Sequence, residues 1–153
     1  MTRNSMLTVR EHVDLAVSVE DVFAYMDEPA HQPEITPSLT QSELVERLPN
    51  GGSRVRYTYR ILGVSFDGEV RATDYVPNER IVWSMTGDLR GTLRWYFSPL
   101  DGDRGSRFVY AATYALPGPA LARPLLGPLL RRYNEREVGR LLRRIRTHLG
   151  ESG

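Results

Sequence analysis

The side chains of this sequence that could do chemistry are mainly tyrosines, carboxylates and an asparagine, because the chain contains no cysteine and no lysine. Their absence excludes thiolate nucleophiles, Cys-ligated metal sites, Schiff bases and P-loop lysines. The three histidines, His12, His31 and His148, belong to separate predicted elements, so their spacing does not suit a metal site. The sequence also has no nucleophile elbow, no paired catalytic carboxylates and no dinucleotide fingerprint. We therefore expect neither a metal nor another cofactor.

Tyrosines and tryptophans recur at alternate positions of the predicted strands, on the side expected to face a core. Several of these inward residues are tyrosines, and a buried hydroxyl without a hydrogen bond costs about 1–3 kcal/mol. Water, other side chains or a ligand must satisfy these hydroxyls, so the set is either ordinary core or the lining of a binding cavity. The inward aromatic residues are Tyr57, Tyr59, Phe66, Trp83, Trp95, Phe97, Phe108, Tyr110 and Tyr114.

Two polar residues fall on faces that are otherwise apolar. Asn134 lies near the centre of the apolar face of the predicted last helix, with Glu137 and His148 towards its edge. It either bonds a tyrosine hydroxyl or a strand carbonyl, or it faces a ligand. Glu11 has inward parity on the first predicted strand. It is either an acid or base in a cavity, or a carboxylate at the frayed start of the strand or paired with an arginine.

The hydrophobic pattern predicts which elements position these residues. The 153 residues, 41% hydrophobic and 25% charged, fit one globular domain that can bury a core without disulfides. Alternation from Leu7 to Val17 predicts a strand, and Ser18, followed by an acid three residues later, predicts the N-cap of a short helix. Pro29 ends this helix, and a polar strand is expected at residues 38–47.

A strong turn at Asn50-Gly51-Gly52 precedes five regularly alternating strands that are joined by short connections. Short connections allow only antiparallel neighbours, so these strands form a meander with one solvated face and one covered face. The face expected to be solvated carries Arg54, Arg56, Arg71, Arg90 and Arg94.

The pattern changes to the period of an amphipathic helix after Pro117, and this helix is predicted from about Pro128 to Leu149. It is the one large element available to cover the sheet. The predicted architecture is therefore α+β, with an antiparallel sheet curving around a long C-terminal helix.

The opposite face of the predicted helix is rich in arginine. Residues 119–153 hold 8 Arg against 3 Glu, whereas residues 1–118 hold 12 Arg against 16 acidic residues. Clustered arginines can bind the phosphates of nucleic acid or of an anionic membrane, but a solvated outer face is the interpretation we favour. We expect no specific nucleic-acid partner and at most weak peripheral membrane contact. The stripe comprises Arg132, Arg136, Arg140, Arg143 and Arg146.

Three segments, in this order and spacing, carry a resemblance to a known family. They are VSVEDVFAY at residues 17–25 followed by Asp27, LRWYFSP at residues 93–99 followed by Asp101-Gly102 and GSR at residues 105–107, and YALPG at residues 114–118 before the arginine-rich helix. They resemble motifs of the START-like superfamily, also called SRPBCC, in its polyketide cyclase/dehydrase and lipid-transport branch. The resemblance covers roughly residues 7–149, and the stretch from Asp27 to Pro33 departs from it.

The resemblance implies a helix-grip fold, in which a seven-stranded antiparallel sheet wraps around the last helix and encloses a cavity. Short helices follow the first strand in this fold. The implied organisation is a single ligand-binding domain at residues 7–149, with flexible termini at residues 1–6 and 150–153.

Pattern and resemblance together predict the binding or carriage of a hydrophobic small molecule, such as a lipid, an isoprenoid or an aromatic polyketide-like compound, between sheet and helix. The alternative is a polyketide cyclase or dehydratase in which tyrosine, glutamate and asparagine side chains polarise a carbonyl and move protons. The predicted ligand-binding residues are Tyr57, Tyr59, Phe66, Trp83, Trp95, Tyr110, Tyr114 and Asn134.

No apolar run approaches the ~20 residues that span a bilayer, and the first residues lack the apolar stretch of a signal peptide. We therefore expect a cytoplasmic location.

Overall fold

The chain folds around one antiparallel sheet, as seen in a computed structural model. The structure describes the backbone of residues 6–61, 63–102, 104–115 and 119–149, and the side chains of residues 8–60, 63–102, 104–115, 132 and 135–149. The strands are β1 (Met6–Leu15), β2 (Leu39–Arg47), β3 (Ser53–Ile61), β4 (Val64–Val76), β5 (Arg80–Gly87), β6 (Arg90–Leu100) and β7 (Gly105–Ala115). The helices are α1 (Val19–Met26), α2 (Gln32–Ile35) and α3 (Pro119–Leu149), with a 3-10 turn at Pro29–His31.

The seven strands pair in the order β1-β7-β6-β5-β4-β3-β2, and each neighbouring pair is antiparallel. Strands β2 to β7 form the meander expected from the short connections, and β1 completes the sheet beside β7. With α1 and α2 after β1 and with α3 at the end, the predicted helix-grip fold is confirmed.

Alternation along the strands sorts side chains between the two faces of the sheet. Inward residues such as Val55, Trp83 and Phe108 are buried, whereas Arg56 and Arg71 on the other face are exposed. Helix α3 packs against β1 and α2, and the buried apolar side chains among its described residues are Val138, Leu141, Leu142 and Ile145. The core therefore lies between the covered face of the sheet and the helices.

The short helix α1 begins where its cap predicts. Ser18 has extended backbone angles, and its Oγ accepts a hydrogen bond from the backbone N–H of Asp21 at 3.2 Å. This bond satisfies one of the N–H groups that an α-helix leaves unpaired in its first turn. Val22, Phe23 and Met26 are buried, so the cap directs the apolar side of α1 onto the sheet.

Two boundaries differ from the predictions. Strand β1 ends at Leu15 instead of Val17, and α3 begins at Pro119 instead of Pro128. Proline suits the first turn of a helix, and Pro119 occupies that position in α3. In β4, a bulge between Ala72 and Asp74 changes which side chains face inward, because a bulge inserts one extra residue. The expected flexible termini lie outside the described residues, except that Met6 begins β1.

Candidate functional site

Two adjacent cavities lie between the covered face of the sheet and the helices. We call them the α3 cavity and the α1 cavity after the helix that closes each one. Counting the part open to solvent, their empty volumes are about 540 Å³ and 510 Å³ respectively. Tyr59, Met85 and Leu93 line both, so these residues form the wall between them.

The lining of the α3 cavity is mainly apolar, with polar groups from β3, β7 and α3. Met85, Leu89 and Leu93 supply much of its apolar surface. The described residues that line it are Thr36, Ser38, Tyr59, Met85, Leu89, Leu93, Tyr110, Ala112, Tyr114, Glu137, Val138 and Leu141.

Glu137 is the buried carboxylate of the α3 cavity. Its side chain accepts a hydrogen bond through Oε2 from the backbone N–H of Ser38 at 2.7 Å. Glu137 is only 9% exposed, and the two residues are 99 positions apart in the chain. The bond therefore ties α3 to the segment between α2 and β2, and it holds a carboxylate at the cavity wall.

Three tyrosines share this cavity with the carboxylate. Tyr114 is buried, and Tyr59 and Tyr110 are half-buried. Burial raises the pKa of Tyr59 and of Tyr110 well above the ordinary value, and the neighbouring tyrosines and Glu137 raise both pKa values further. Their hydroxyl groups therefore stay protonated at neutral pH and can act as hydrogen-bond donors. Among the described residues, neither Tyr59 nor Tyr110 has a hydrogen-bond partner for its hydroxyl.

The α1 cavity is closed by the end of α1 and by the turn that follows it. Tyr57 lines it, but its hydroxyl donates to the backbone carbonyl of Thr86 at 3.3 Å. Gly68 makes this contact possible, because a Cβ there would lie 2.5 Å from the hydroxyl oxygen. In the part of the chain that the structure describes, its lining residues are Met26, Asp27, Pro29, Leu39, Ser42, Val55, Tyr57, Tyr59, Val70, Trp83, Met85, Leu93 and Trp95.

Asp27 brings a second carboxylate to this interior. Its Oδ2 accepts a hydrogen bond from the Tyr75 hydroxyl at 2.7 Å, and its Oδ1 lies 3.6 Å from a guanidinium nitrogen of Arg47. Burial raises the pKa of Asp27, although Tyr75 and Arg47 act in the opposite direction. Tyr75 reaches Asp27 because it lies beyond the β4 bulge, where it also packs edge-on against Phe23.

The predicted site residues fall into four groups. Tyr59, Tyr110 and Tyr114 line the α3 cavity, whereas Tyr57, Trp83 and Trp95 line the α1 cavity. Phe66 is half-buried against the core and lines neither cavity. The side chain of Asn134 lies outside the described residues.

Glu11 is exposed, so the hypothesis that it serves a cavity as an acid or base is wrong. It belongs to β1, which forms one edge of the sheet, where a long side chain can reach solvent despite its inward parity. The carboxylates that line the cavities are Glu137 and Asp27 instead. Glu137 had a signal in the sequence, its place at the edge of the apolar helix face, and Asp27 was part of the first segment that carries the family resemblance, although neither was predicted as a site residue.

The described residues contain no group of three or more histidine, cysteine, aspartate or glutamate side chains that could hold a metal ion. Within the same part of the chain, no helix is long and apolar enough to cross a membrane.

The fold is similar to solved structures of several proteins. One is a START superfamily protein from Mycobacterium smegmatis, with a TM-score of 0.78, 17% sequence identity and coverage of 95% of this chain and 99% of that one. Another is the Zhui aromatase/cyclase from a Streptomyces species, with a TM-score of 0.73, 18% identity and coverage of 94% and 93%. A third is the di-domain ARO/CYC StfQ from the steffimycin biosynthetic pathway, with a TM-score of 0.74, 19% identity and coverage of 96% of this chain and 52% of that one.

Identities this low show the fold alone, and no curated protein matches the sequence. The sequence does match the family described as polyketide cyclase / dehydrase and lipid transport, over residues 6–150. This match covers nearly the whole chain, and it agrees with the resemblance carried by the three sequence segments. The chain therefore belongs to the polyketide cyclase/dehydrase and lipid-transport family.

Proposed function

We propose that this protein binds or carries an apolar small molecule, of the lipid, isoprenoid or aromatic polyketide-like kind, in the α3 cavity. The single observation that carries the proposal is an apolar cavity in which the Tyr59 and Tyr110 hydroxyls have no hydrogen-bond partner among the described residues. Cavities that bind small molecules are mostly apolar, with a few polar groups that orient the ligand. In this proposal residues 7–149 form the single binding domain.

The polar groups of the cavity indicate how a ligand would be oriented. Protonated Tyr59 and Tyr110 are donors, so they suit a ligand oxygen such as a carbonyl or a hydroxyl. Met85 and Leu93 face the body of the ligand, and Met85 has a flexible side chain that adapts to different shapes. One polar end and an apolar body therefore describe the ligand class.

Binding is tested by thermal unfolding and by quenching of tryptophan fluorescence, with a panel of isoprenoids, fatty acids and aromatic polyketides. A ligand present at 100 times its Kd that binds only the folded state adds about 2.7 kcal/mol of stability. We expect Tyr110→Phe to weaken binding about threefold to tenfold, because one hydrogen bond is lost, and to leave the unliganded protein as stable as before.

Tyr96→Phe is the matched control, because Tyr96 lies on the neighbouring strand β6, directly opposite Val109, and its ring faces Arg10 instead of either cavity. It should change neither affinity nor stability. If no compound of the panel shifts the unfolding temperature, or if Tyr110→Phe destabilises the unliganded protein by ~1–3 kcal/mol, the binding proposal fails.

A second candidate function, a cyclase or dehydratase, is favoured by the position of Glu137 beside the tyrosines. Its carboxylate would remove a proton from the carbon next to a ligand carbonyl, while a tyrosine hydroxyl stabilises the oxygen that gains negative charge. The enolate formed in this way would attack a second carbonyl of the same molecule, and the proton would return to the new alkoxide.

The enzyme candidate is tested by the exchange of the methyl protons of an aryl methyl ketone with deuterium in D₂O, followed by NMR. The candidate predicts exchange by the unchanged protein and none by Glu137→Gln, whose amide oxygen can still accept the Ser38 N–H. Equal exchange by both proteins would leave only the binding function.

A further inference from the structure

The α1 cavity collects buried polar atoms that have no hydrogen-bond partner. In the described part of the chain there are five such side-chain atoms, namely Asp27 Oδ1, Ser53 Oγ, Trp83 Nε1, Trp95 Nε1 and Ser106 Oγ. Three of them belong to residues that line the α1 cavity, whereas Ser53 and Ser106 line neither cavity. Buried polar groups are normally paired, so their concentration at one cavity indicates a ligand that pairs with them.

Trp83 and Trp95 contribute two donors. They are 4% and 5% exposed, and their ring centroids lie 5.3 Å apart with an angle of 70° between the planes. In this edge-to-face arrangement at most one N–H can face the other ring. At least one indole N–H therefore still needs an acceptor. The hydroxyls of Ser42 and Tyr57 already donate to the backbone carbonyls of Pro29 and Thr86, so neither hydroxyl is available as a donor to a ligand.

Asp27 contributes an acceptor that is held in place. Its backbone N–H bonds the Phe23 carbonyl at the end of α1, and its Oδ2 accepts from Tyr75 at 2.7 Å. Its buried Oδ1 has Arg47 at 3.6 Å, an ion-pair contact that is too long for a hydrogen bond. A ligand hydroxyl beside Oδ1 would make a charge-assisted hydrogen bond.

We propose that the α1 cavity binds the end of a ligand that carries both a carbonyl and a hydroxyl group. The carbonyl oxygen accepts from the indole N–H groups of Trp83 and Trp95, and the hydroxyl donates to Oδ1 of Asp27. This inference rests on the proposed function, because it names the chemistry of a ligand that occupies the same interior. The apolar part of the ligand lies against Tyr59, Met85 and Leu93, which separate the two cavities.

Four probes of similar size test the inference in the unchanged protein. The first probe, 4-hydroxyacetophenone, carries both groups. Acetophenone carries only the carbonyl, 4-ethylphenol carries only the hydroxyl, and ethylbenzene carries neither. We expect 4-hydroxyacetophenone to bind most tightly. Removing its carbonyl should weaken binding about threefold to tenfold, and removing its hydroxyl should weaken it about tenfold or more, because the second bond is made to a charged group.

The chain has two tryptophans, so a ¹H–¹⁵N spectrum contains two indole N–H peaks that report directly on the proposed bonds. The two ketone probes should move at least one peak to higher proton frequency than their ethyl counterparts do. The spectrum of Trp83→Phe assigns the two peaks. In this variant the affinities of 4-hydroxyacetophenone and 4-ethylphenol should differ less than in the unchanged protein.

In Asp27→Asn, 4-hydroxyacetophenone should bind more tightly than acetophenone by about threefold or less, because a neutral acceptor remains. Asp74→Asn is the matched control, since Asp74 pairs with Arg80 at 2.6 Å and lines neither cavity. It should bind the four probes as the unchanged protein does.

The results distinguish this inference from the proposed function. If the four probes bind equally, or if ketones and ethyl compounds shift the indole peaks alike, the inference is overturned and apolar binding stands. The same holds if none of the probes binds while a longer compound of the panel does. If neither probes nor panel bind, both proposals fall.

Discussion

The tyrosines on the covered face of the sheet differ in whether their hydroxyl groups have a hydrogen-bond partner. Tyr57 lies at the cavity wall, but its hydroxyl is bonded to the Thr86 carbonyl, so it serves the fold. Tyr110 has equal inward parity, and no hydrogen bond to its hydroxyl occurs among the described residues. Identical side chains on the covered face of the sheet can therefore have different roles, and the local hydrogen bonds decide which role each has.

Two adjacent residues of β6 test which of its side chains lie on the buried face of the sheet. Trp95 is buried against Trp83 and Phe108, whereas Arg94 points to the other face of the sheet. We expect Trp95→Ala to lower the free energy of unfolding by about 3–5 kcal/mol, because it leaves a cavity in the core. Arg94→Ala should change it by no more than ~0.5 kcal/mol. Urea denaturation measures both, and equal losses would refute the assignment of faces.

Helix α3 is joined to the rest of the fold by hydrogen bonds in addition to apolar packing. Arg146 donates to the backbone carbonyl of Asp14 in β1, and Glu137 accepts from the backbone N–H of Ser38, directly before β2. The second contact closes the α3 cavity on one side, since both residues line it. The element that covers the sheet is therefore also the element that shapes the site.

The link between α3 and β2 is tested with two glutamates of the same helix. Glu137→Ala leaves the buried N–H of Ser38 without that partner, and a hydrogen bond to a charged group contributes about 1.5–3 kcal/mol. We expect a loss of that size in the free energy of unfolding. Glu135→Ala, at an exposed position of the same helix, should have an effect within ~0.5 kcal/mol. Similar losses in both variants would show that the Ser38 bond contributes nothing measurable.

The molecule as a whole separates a cavity-bearing interior from an outer surface rich in arginine. Arg136, Arg140 and Arg143 are exposed on α3 and line neither cavity, and no ion pair to them occurs among the described residues. Several tyrosines with raised pKa values lie on the inner side. Salt should therefore affect the binding properties of the outer arginines, whereas alkaline pH should affect the protonated tyrosines of the interior.

Replacing Arg136, Arg140 and Arg143 together with glutamine should leave small-molecule affinity unchanged, because all three are solvated. The unchanged protein should bind nucleic acid no more tightly than a nonspecific Kd of about 10⁻⁴–10⁻⁶ M, and salt should abolish this binding. Calorimetry with a ligand and filter binding with DNA check the two statements. A collapse of ligand affinity in the triple variant would make the outer face of α3 part of the site.

Alkaline pH should unfold the protein through its tyrosines. Burial raises the pKa of Tyr57 to about 12, and burial with the Asp27 hydrogen bond raises that of Tyr75 to about 12. Since these folded-state values exceed the ordinary value of 10.0, their stability contribution is complete below pH 10 and is lost as the pH rises towards 12. Tyrosinate absorbance and circular dichroism should therefore change together between about pH 10 and 12. Tyrosinate formation with the secondary structure intact would contradict this.

Most of the fold could be predicted from the sequence because its patterns are local. Alternation in β3 to β7 and the Ser18 cap each involve residues that are near one another in the chain. Parity placed Tyr59, Trp83 and Trp95 on the covered face, and they line cavities there. The start of α3 was predicted too late, at about Pro128, whereas the helix begins at Pro119.

The sequence by itself determined the order of elements, the covered face of the sheet and the family to which the chain belongs. Only the tertiary structure decided which polar groups meet, because Glu137 and Ser38 are 99 positions apart and Tyr75 and Asp27 are 48 apart. A bulge in β4 and the edge position of β1 also changed where Tyr75 and Glu11 point. Periodicity indicates which side of an element a residue faces, whereas partners across the core depend on how the elements pack.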